Sequence, residues 1–258
     1  MKRILFGIVV LFVLVIALAI LLPFIVDVNT YQDRYRPLIE EALNRKITLT
    51  DVRLTILPRL GARVEGFTVM DDPAFSTGIF ASLASLDIGV KVLPLLTGRV
   101  EVETLTLREP VITVIKNERG ALNISTLGTK APTPPEAPER RPPTEGPLRA
   151  LAMLAVDELS LTDGRLAYED HSAKKPVDYR LQNLAVTLRS VRLGDTPTLH
   201  IAAAVQPYNM PVTIDGEFGP LTESLDFKVI DVGIALGKTV AAVKGSATGG
   251  RFNLILTS

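Results

Sequence analysis

An unbroken apolar run near the amino terminus restricts this chain more than any other feature. After Lys2 and Arg3, no charged side chain occurs from Ile4 to Val26. As a helix, these 23 residues would be roughly 34 Å long, enough to cover the roughly 30 Å hydrocarbon core of a bilayer. The run therefore predicts a transmembrane anchor within residues 1–27, followed by a domain that lies beside a membrane.

A cleaved signal peptide is the alternative interpretation of this run, because it also begins with basic residues and an apolar stretch. The apolar part of a signal peptide usually has about 7–15 residues, and no small-x-small cleavage site follows Pro23. We therefore favour an uncleaved anchor, with the amino terminus inside and the remaining chain exported. Arg34 and Arg36, just after the run, weaken the charge argument for this orientation. The absence of cysteine is compatible with an oxidising compartment.

The charge balance argues against nucleic acid as a partner. The chain has 28 acidic and 28 basic side chains, so it is formally neutral and has no global field that would attract phosphate backbones. It has no tryptophan and only five tyrosines, which leaves few residues for an aromatic binding cage. The apolar content is instead valine, leucine, isoleucine and alanine, and this composition suits sheets.

Two kinds of periodicity follow the apolar run. Residues 28–44 predict a short amphipathic helix, in which Pro37 requires a kink or a start near Arg36. From Ile47 onward the period changes to two, which predicts strands separated by glycine and proline. The predicted strands cover residues 47–56, 86–92, 100–107, 111–115, 184–193, 199–205, 212–218, 225–232 and 252–256. The change of phase between Val102 and Leu105 predicts a β-bulge or a bend.

A proline-rich segment divides the exported part in two. Seven of the seventeen residues from Ala131 to Pro147 are proline, which predicts an extended spacer that cannot pair in a sheet. We therefore divide the chain into an anchor (1–27), a helix plus β-sheet domain (28–130), a linker (131–147) and a second β-rich segment (148–258). The pattern of residues 102–114 recurs at 156–168, an offset of 54 residues, which suggests one architecture continued across the linker.

Residues suited to catalysis are scarce. The two histidines are His171, in a polar turn, and His200, which alternation places on the solvent side of a strand. Asp72 precedes Pro73, as expected at the start of a turn. We find no Gly-x-Ser-x-Gly elbow and no phosphate-binding glycine loop. The sequence therefore predicts no catalytic residue, metal or cofactor, and an envelope hydrolase that depends on His171 or Asp72 is the least favoured hypothesis.

A series of short motifs follows the predicted span in a fixed order. The motifs are Asn29–Tyr31, Leu57–Pro58, Gly66–Val69, Asp72–Phe75, Leu93–Gly98, Glu109–Pro110 and Gly120–Ile124. Together they resemble the N-terminal region of the AsmA family of bacterial envelope proteins, over approximately residues 1–127. The chain departs from that pattern where family members often have a glycine near residues 44–46 and an aromatic residue at Ile124. Many members of the family are also much longer.

The resemblance implies a fold, a location and a role. The expected fold is mostly β: a transmembrane helix and a short amphipathic helix, then a curved antiparallel sheet with an apolar, groove-like face. The family is similar to bridge-like lipid-transfer proteins of the chorein type and is implicated in phospholipid transport and outer-membrane assembly. We therefore expect a single-pass protein of the bacterial inner membrane, with most of its chain in the periplasm. Its expected partners are the inner membrane, phospholipid and envelope or outer-membrane proteins.

Acyl chains would bind along the apolar sheet face. The candidate residues for this groove are Leu86, Ile88, Val90, Val92, Leu105, Leu107, Ile112 and Val114. An ordinary sandwich, in which protein covers both faces of the same strands, is the structural alternative. The functional alternative is an anchored periplasmic scaffold that assists outer-membrane protein assembly through contacts at its sheet edges.

Overall fold

The computed structural model describes residues 28–56, 59–99, 101–128, 155–172, 177–222, 226–248 and 251–257. Among these residues, no helix is both long enough and apolar enough to cross a bilayer. The span predicted at residues 4–26 lies outside the described residues, as does the proline-rich linker at 131–147.

The described chain begins with helix, as predicted for residues 28–44. A 3-10 turn, Val28–Tyr31, leads into α1, Gln32–Leu43. The predicted start near Arg36 is wrong, because Pro37 lies inside α1. Pro37 is exposed, so water can solvate the backbone carbonyl that the missing N–H leaves without a partner. Asn44 ends the helix in the left-handed conformation, and its N–H donates to the Glu41 carbonyl at 3.3 Å.

Thirteen strands in the described residues form one sheet. Their bounds are β1 Ile47–Thr48, β2 Asp51–Thr55, β3 Gly61–Met70, β4 Ile79–Val90, β5 Val102–Arg108, β6 Val111–Lys116, β7 Val156–Asp170, β8 Val177–Val191, β9 Thr198–Gln206, β10 Met210–Gly219, β11 Phe227–Leu236, β12 Thr239–Thr248 and β13 Arg251–Thr257. The order in the sheet is β1-β3-β4-β5-β7 and then β8 to β13 in sequence; β2 pairs with β3, and β6 pairs with β4 and β7. A short helix, α2 (Val92–Leu96), separates β4 from β5, and a 3-10 turn, Asn123–Thr126, follows β6.

The mostly β prediction is confirmed, but a purely antiparallel sheet is wrong. Strand β7 runs parallel to both β5 and β6, so the sheet is mixed. A parallel pair requires a crossover of a dozen residues or more, and the chain from Asn117 to Ala155 provides it. The strand predicted at 86–92 ends at Val90, because Val92 begins α2. The sequence prediction also missed β3 and β12; the alanine, glycine and lysine of β12 are uncommon in strands.

The parallel pairing has the register of the sequence repeat. Leu105 pairs with Leu159, and Val114 pairs with Tyr168, both at the predicted offset of 54 residues. The two units also share a backbone irregularity, since Glu109 and Asp163, 54 residues apart, have φ angles of +48° and +56°. Two equivalent stretches of chain therefore lie side by side in the sheet. The bulge predicted between residues 102 and 105 is confirmed, as a register shift between β4 and β5.

One cluster of buried residues lies under α1. Ile47, Val69 and Phe80, which are 0%, 6% and 8% exposed, pack beneath Ile39 and Leu43 of the helix. The apolar side of the predicted amphipathic helix therefore covers one end of the first strands.

A second cluster lies beyond the parallel pair. Val191 and Leu221, which are 0% and 1% exposed, pack with Leu188. The rings of Phe218 and Phe227 lie against this cluster and meet edge to face, 5.3 Å apart. Between the two clusters, each described strand packs mainly against the strands to which it is hydrogen-bonded. This part of the sheet is a single layer.

Candidate functional site

One row of directly opposed residues crosses the sheet without a polar side chain. Residues opposite each other in the register have their side chains on the same face. Row A consists of Leu54, Ala62, Ile88, Leu105, Leu159, Leu188, Leu199, Gly216, Val232, Val243 and Leu256. It includes eleven strands, so at about 4.8 Å per strand it is roughly 50 Å long.

A second apolar row runs beside the first. Row B is two residues away from row A along each strand, so its side chains lie on the same face. It consists of Val52, Val64, Leu86, Leu107, Leu161, Val186, Ile201, Ile214, Ile234 and Ala241. We refer to rows A and B together as the apolar face. Each residue of row B stands beside an apolar residue or glycine of row A, so the band is continuous.

The opposite face of the same strands is polar. The residues between rows A and B form their own row, which includes Arg63, Asp87, Thr106, Ser160, Thr187, His200 and Asp215. Ion pairs join neighbouring strands on this face: Arg189 with Glu158 at 2.9 Å, and Lys244 with Asp231 at 2.8 Å. The alternation predicted for His200 is confirmed, because its exposed ring lies 2.5 Å from an Asp215 carboxylate oxygen.

One carboxylate on the polar face, that of Asp87, contacts two arginines. Burial raises the pKa of the Asp87 carboxyl, but hydrogen bonds and charge from Arg63 and Arg108 outweigh this effect and hold the pKa below its ordinary value. Arg63 lies 2.5 Å and Arg108 lies 3.1 Å from the two carboxylate oxygens. These side chains link β3, β4 and β5 on the face that water solvates.

The described residues leave most of the apolar face uncovered. In rows A and B only Leu188, at 8% exposure, is a buried large side chain; it belongs to the second core cluster, against which Leu159 and Leu199 also pack. Leu86, Ile88 and Leu107 are partly exposed. An extended apolar surface of this kind is unusual on a soluble domain, where large exposed patches mark binding sites. The arrangement can accommodate long apolar chains, which make no hydrogen-bonding demands on the surface beneath them.

Charged side chains border the apolar face near β7. Asp157 stands two residues before Leu159 of row A, and its carboxylate forms ion pairs with Lys91, at 2.9 Å, and with Arg192. The three side chains are 35%, 25% and 39% exposed, respectively. Two cations and one anion therefore lie at this border of the apolar face.

The structure brings together four of the eight predicted groove residues. Leu86, Ile88, Leu105 and Leu107 are neighbours in rows A and B. Val90 follows Ile88 by two residues on β4 and pairs with Val102 beyond the bulge, at the end of the apolar face. The other three lie elsewhere: Val92 is in α2 and 53% exposed, Ile112 packs against the core cluster under α1, and Val114 pairs with Tyr168.

Sequence reasoning missed the part of the apolar face that lies in the second segment. That part includes Leu159, Leu161, Val186, Ile201 and Ile214. The 54-residue repeat in the sequence could have indicated two of these residues, because it aligns Leu105 and Leu107 with Leu159 and Leu161.

A buried polar cluster fastens the start of β1 to the turn after β6. The Asn123 side chain is fully buried and makes three hydrogen bonds at 3.0 Å. Its amide donates to Asp71 Oδ2 and to the Thr113 carbonyl, and its Oδ1 accepts from the Ile115 N–H. One asparagine thus satisfies three groups from two segments, β6 and the turn after β3, and this gives the asparagine of the motif at residues 120–124 a structural role.

Arg45 completes this cluster. Its side chain is only 2% exposed and donates to the Asn123 carbonyl at 3.0 Å and to the Thr126 hydroxyl. It also lies 3.8 Å from the Asp72 carboxylate. A hydrogen bond from the Ala74 N–H, aided by Thr126 and Arg45, holds the pKa of Asp72 below its ordinary value. The prediction that Asp72 starts a turn is confirmed, because its side chain accepts from Ala74 N at 2.9 Å.

These features define a class of protein: a single-layer β-sheet with one continuous apolar face, one polar face and a helix packed at its first strands. The family model that matches this sequence is that of the AsmA family, and the match covers residues 1–207 of the 258. The chain therefore belongs to the AsmA family. No curated protein matches it.

Proposed function

We propose that this protein handles phospholipid for the homeostasis of the outer membrane and cell envelope, with acyl chains lying along the apolar face. The observation that carries the proposal is the continuity of rows A and B. Row A across eleven strands and row B across ten contain no polar side chain, while many of the alternate residues on the same strands are polar and several form ion pairs across the sheet. A sheet that only separated protein layers would need a second layer over the whole apolar face. Among the described residues, cover on this face is limited to the second core cluster, which packs around Leu188.

The energetics suit a hydrocarbon ligand. Each methylene group moved from water to an apolar surface gains about 0.8 kcal/mol, so even partial contact along an acyl chain adds up to a useful affinity. The apolar face has no polar side chain that such a chain would leave unsatisfied. A headgroup would remain at the border, where Lys91, Asp157 and Arg192 lie. The role requires no catalytic residue, metal or cofactor.

The proposed location is the bacterial inner membrane. The apolar run at residues 4–26 would provide a single transmembrane anchor, and residues from Val28 onward would lie in the periplasm. Membership of the AsmA family supports a role in the envelope.

Photo-crosslinking in cells tests the proposal. A photoreactive residue at Leu107 lies on the apolar face, whereas one at the neighbouring Thr106 lies on the polar face of the same strand. We expect phospholipid adducts on Leu107 and few or none on Thr106. Equal lipid capture at both positions, or none at either, would contradict the proposal. Protein adducts at both positions without lipid would instead favour the anchored scaffold.

A further inference from the structure

Helix α2 exposes a patch of apolar side chains at one end of the sheet. Val92, Leu93 and Leu95 are 53%, 77% and 37% exposed. Burying one such side chain gains about 1.5–3 kcal/mol, so three neighbours in contact with water carry a considerable cost. A contiguous patch of this kind indicates an interaction surface.

The patch is continuous with the apolar face. Ile88 belongs to row A, Val90 follows two residues later on β4, and α2 begins two residues after that, at Val92. An apolar molecule in contact with α2 is therefore beside the end of the apolar face, and no charged residue other than Lys91 separates them along the chain.

The described chain begins close to the same end of the sheet. Pairing with β3 shows where α2 and Asn29 lie along the strands. Gly61 of β3 pairs with Gly89, which is three residues before α2. Val64 of β3 pairs with Val52, and the Val52 N–H donates to the Asn29 side chain at 2.8 Å. Gly61 and Val64 are three residues apart on β3, so Asn29 lies about 10 Å along the strand from the α2 end. Val69 pairs with Ile47 of β1 and lies about 26 Å from Gly61 along β3.

Helix α1 runs along β3 from near Val64 toward Val69. Glu40, near the end of the helix, accepts a hydrogen bond from the N–H of Ile47 at 3.1 Å, and Ile47 pairs with Val69. The chain thus moves away from α2 as it leaves Val28. Residues 1–27, which contain the predicted anchor, precede Val28. A bilayer that holds this anchor would consequently lie toward the α2 end of the strands.

The exposed charged side chains beside α2 are basic, which suits an anionic lipid surface. Arg59, in the turn before β3, and Arg99, after α2, are both exposed at this end of the sheet. Basic residues beside an apolar patch are the usual composition of a segment that binds to a membrane interface.

We propose that α2 inserts its exposed apolar side chains into the periplasmic leaflet of the inner membrane and forms the entrance through which acyl chains reach the apolar face. The inference rests on the function proposed above and names one occupant for this patch, a phospholipid bilayer. It assigns a role to the Leu93–Gly98 motif that neither the core nor rows A and B explain.

Tryptophan fluorescence tests the insertion directly, because the chain has no tryptophan of its own. The full chain carrying Leu93→Trp is reconstituted into vesicles of phosphatidylethanolamine and phosphatidylglycerol, with or without bromine on the acyl chains. We expect a shift of the emission to shorter wavelength and a loss of intensity in brominated vesicles. The matched control is Tyr208→Trp, in the turn between β9 and β10, where the native residue is 84% exposed. Emission from Leu93→Trp that matches this control would overturn the inference.

A second measurement separates this inference from the proposed function. Leu93→Asp should lower lipid capture by a photoreactive residue at Leu107 several-fold, whereas Tyr208→Asp should leave it unchanged. Undiminished capture in Leu93→Asp would show that lipid reaches the apolar face by another route, and the entrance would be wrong while the proposed function stood. If Leu107 captures no lipid in the unsubstituted chain, the proposed function itself fails. A photoreactive residue at Leu93 that captures protein and no lipid would also overturn the inference.

Discussion

Two leucine truncations distinguish an open apolar face from a covered one. Leu221→Ala removes a side chain that is 1% exposed and belongs to the second core cluster. Leu107→Ala removes the same atoms from row B, where the native leucine is partly exposed. The two substitutions are chemically identical, so the difference between their costs reports what lies over each site.

The magnitudes follow from burial. At Leu221, three lost carbon groups at about 0.8 kcal/mol each give roughly 2.4 kcal/mol of transfer free energy, and the cavity left in the cluster raises the total to about 3–4 kcal/mol. At Leu107, water can enter the vacated space, so no cavity term is added. Because the leucine was only partly buried, we expect a loss of about 1–2 kcal/mol. A difference near 2 kcal/mol corresponds to about 4–8 °C in Tm for a domain of this size.

Thermal unfolding of the full chain in detergent, followed by circular dichroism, measures both costs under one set of conditions. We expect Leu221→Ala to lower the Tm much more than Leu107→Ala. If the two substitutions lower it equally, the row B site is enclosed, and the open face would have to be abandoned in favour of a covered one.

Three further substitutions or conditions test other parts of the structure by the same unfolding assay. Asn123→Asp should destabilise the protein by about 3 kcal/mol, because it places a carboxylate oxygen against the buried Asp71 carboxylate in place of an N–H donor; an unchanged Tm would contradict the cluster as described. Since the pKa of Asp72 is lowered in the folded protein, its stabilising contribution is complete above the ordinary value of about 3.9 and is lost as the pH falls through the lowered pKa. Asp72→Asn should therefore flatten the decline of Tm between neutral pH and pH 3 or below, and an unaltered slope would refute this account. Gly216→Ala should cost about 1–3 kcal/mol, because its Cβ would lie 2.3 Å from a backbone carbonyl oxygen, whereas at Gly233 the nearest atom is 3.7 Å away; equal costs for the two alanine variants would refute the close approach.

Period-two alternation predicted much of the sheet, because it depends on each strand alone. It could not predict which strands are neighbours. Rows A and B exist because ten successive registers align apolar residues, and turns and bulges far apart in the chain set those registers. The parallel placement of β7 beside β5 is the clearest case. The 54-residue repeat contained its register, but a repeat alone does not show that its two copies pair with each other.

The buried polar cluster could not be predicted from the sequence. Asn123 and Asp71 are 52 residues apart, and Arg45 contacts Asn123 across 78 residues. Each residue belongs to a short polar stretch that predicts a turn, and nothing in those stretches indicates that the side chains are buried together. Only the folded chain shows that these turns meet beneath α1.

If the apolar face binds lipid as proposed, its composition also limits what can determine the choice of lipid. Rows A and B contain no hydrogen-bonding side chain, so they cannot distinguish one headgroup from another and can respond only to the length and packing of acyl chains. Any discrimination between headgroups must therefore come from the borders of the face, where Asp157 joins Lys91 and Arg192. The excess cation in this group would favour an anionic headgroup over a zwitterionic one. Affinity and selectivity would thus reside in different parts of one sheet, the first in the apolar rows and the second at their charged margin.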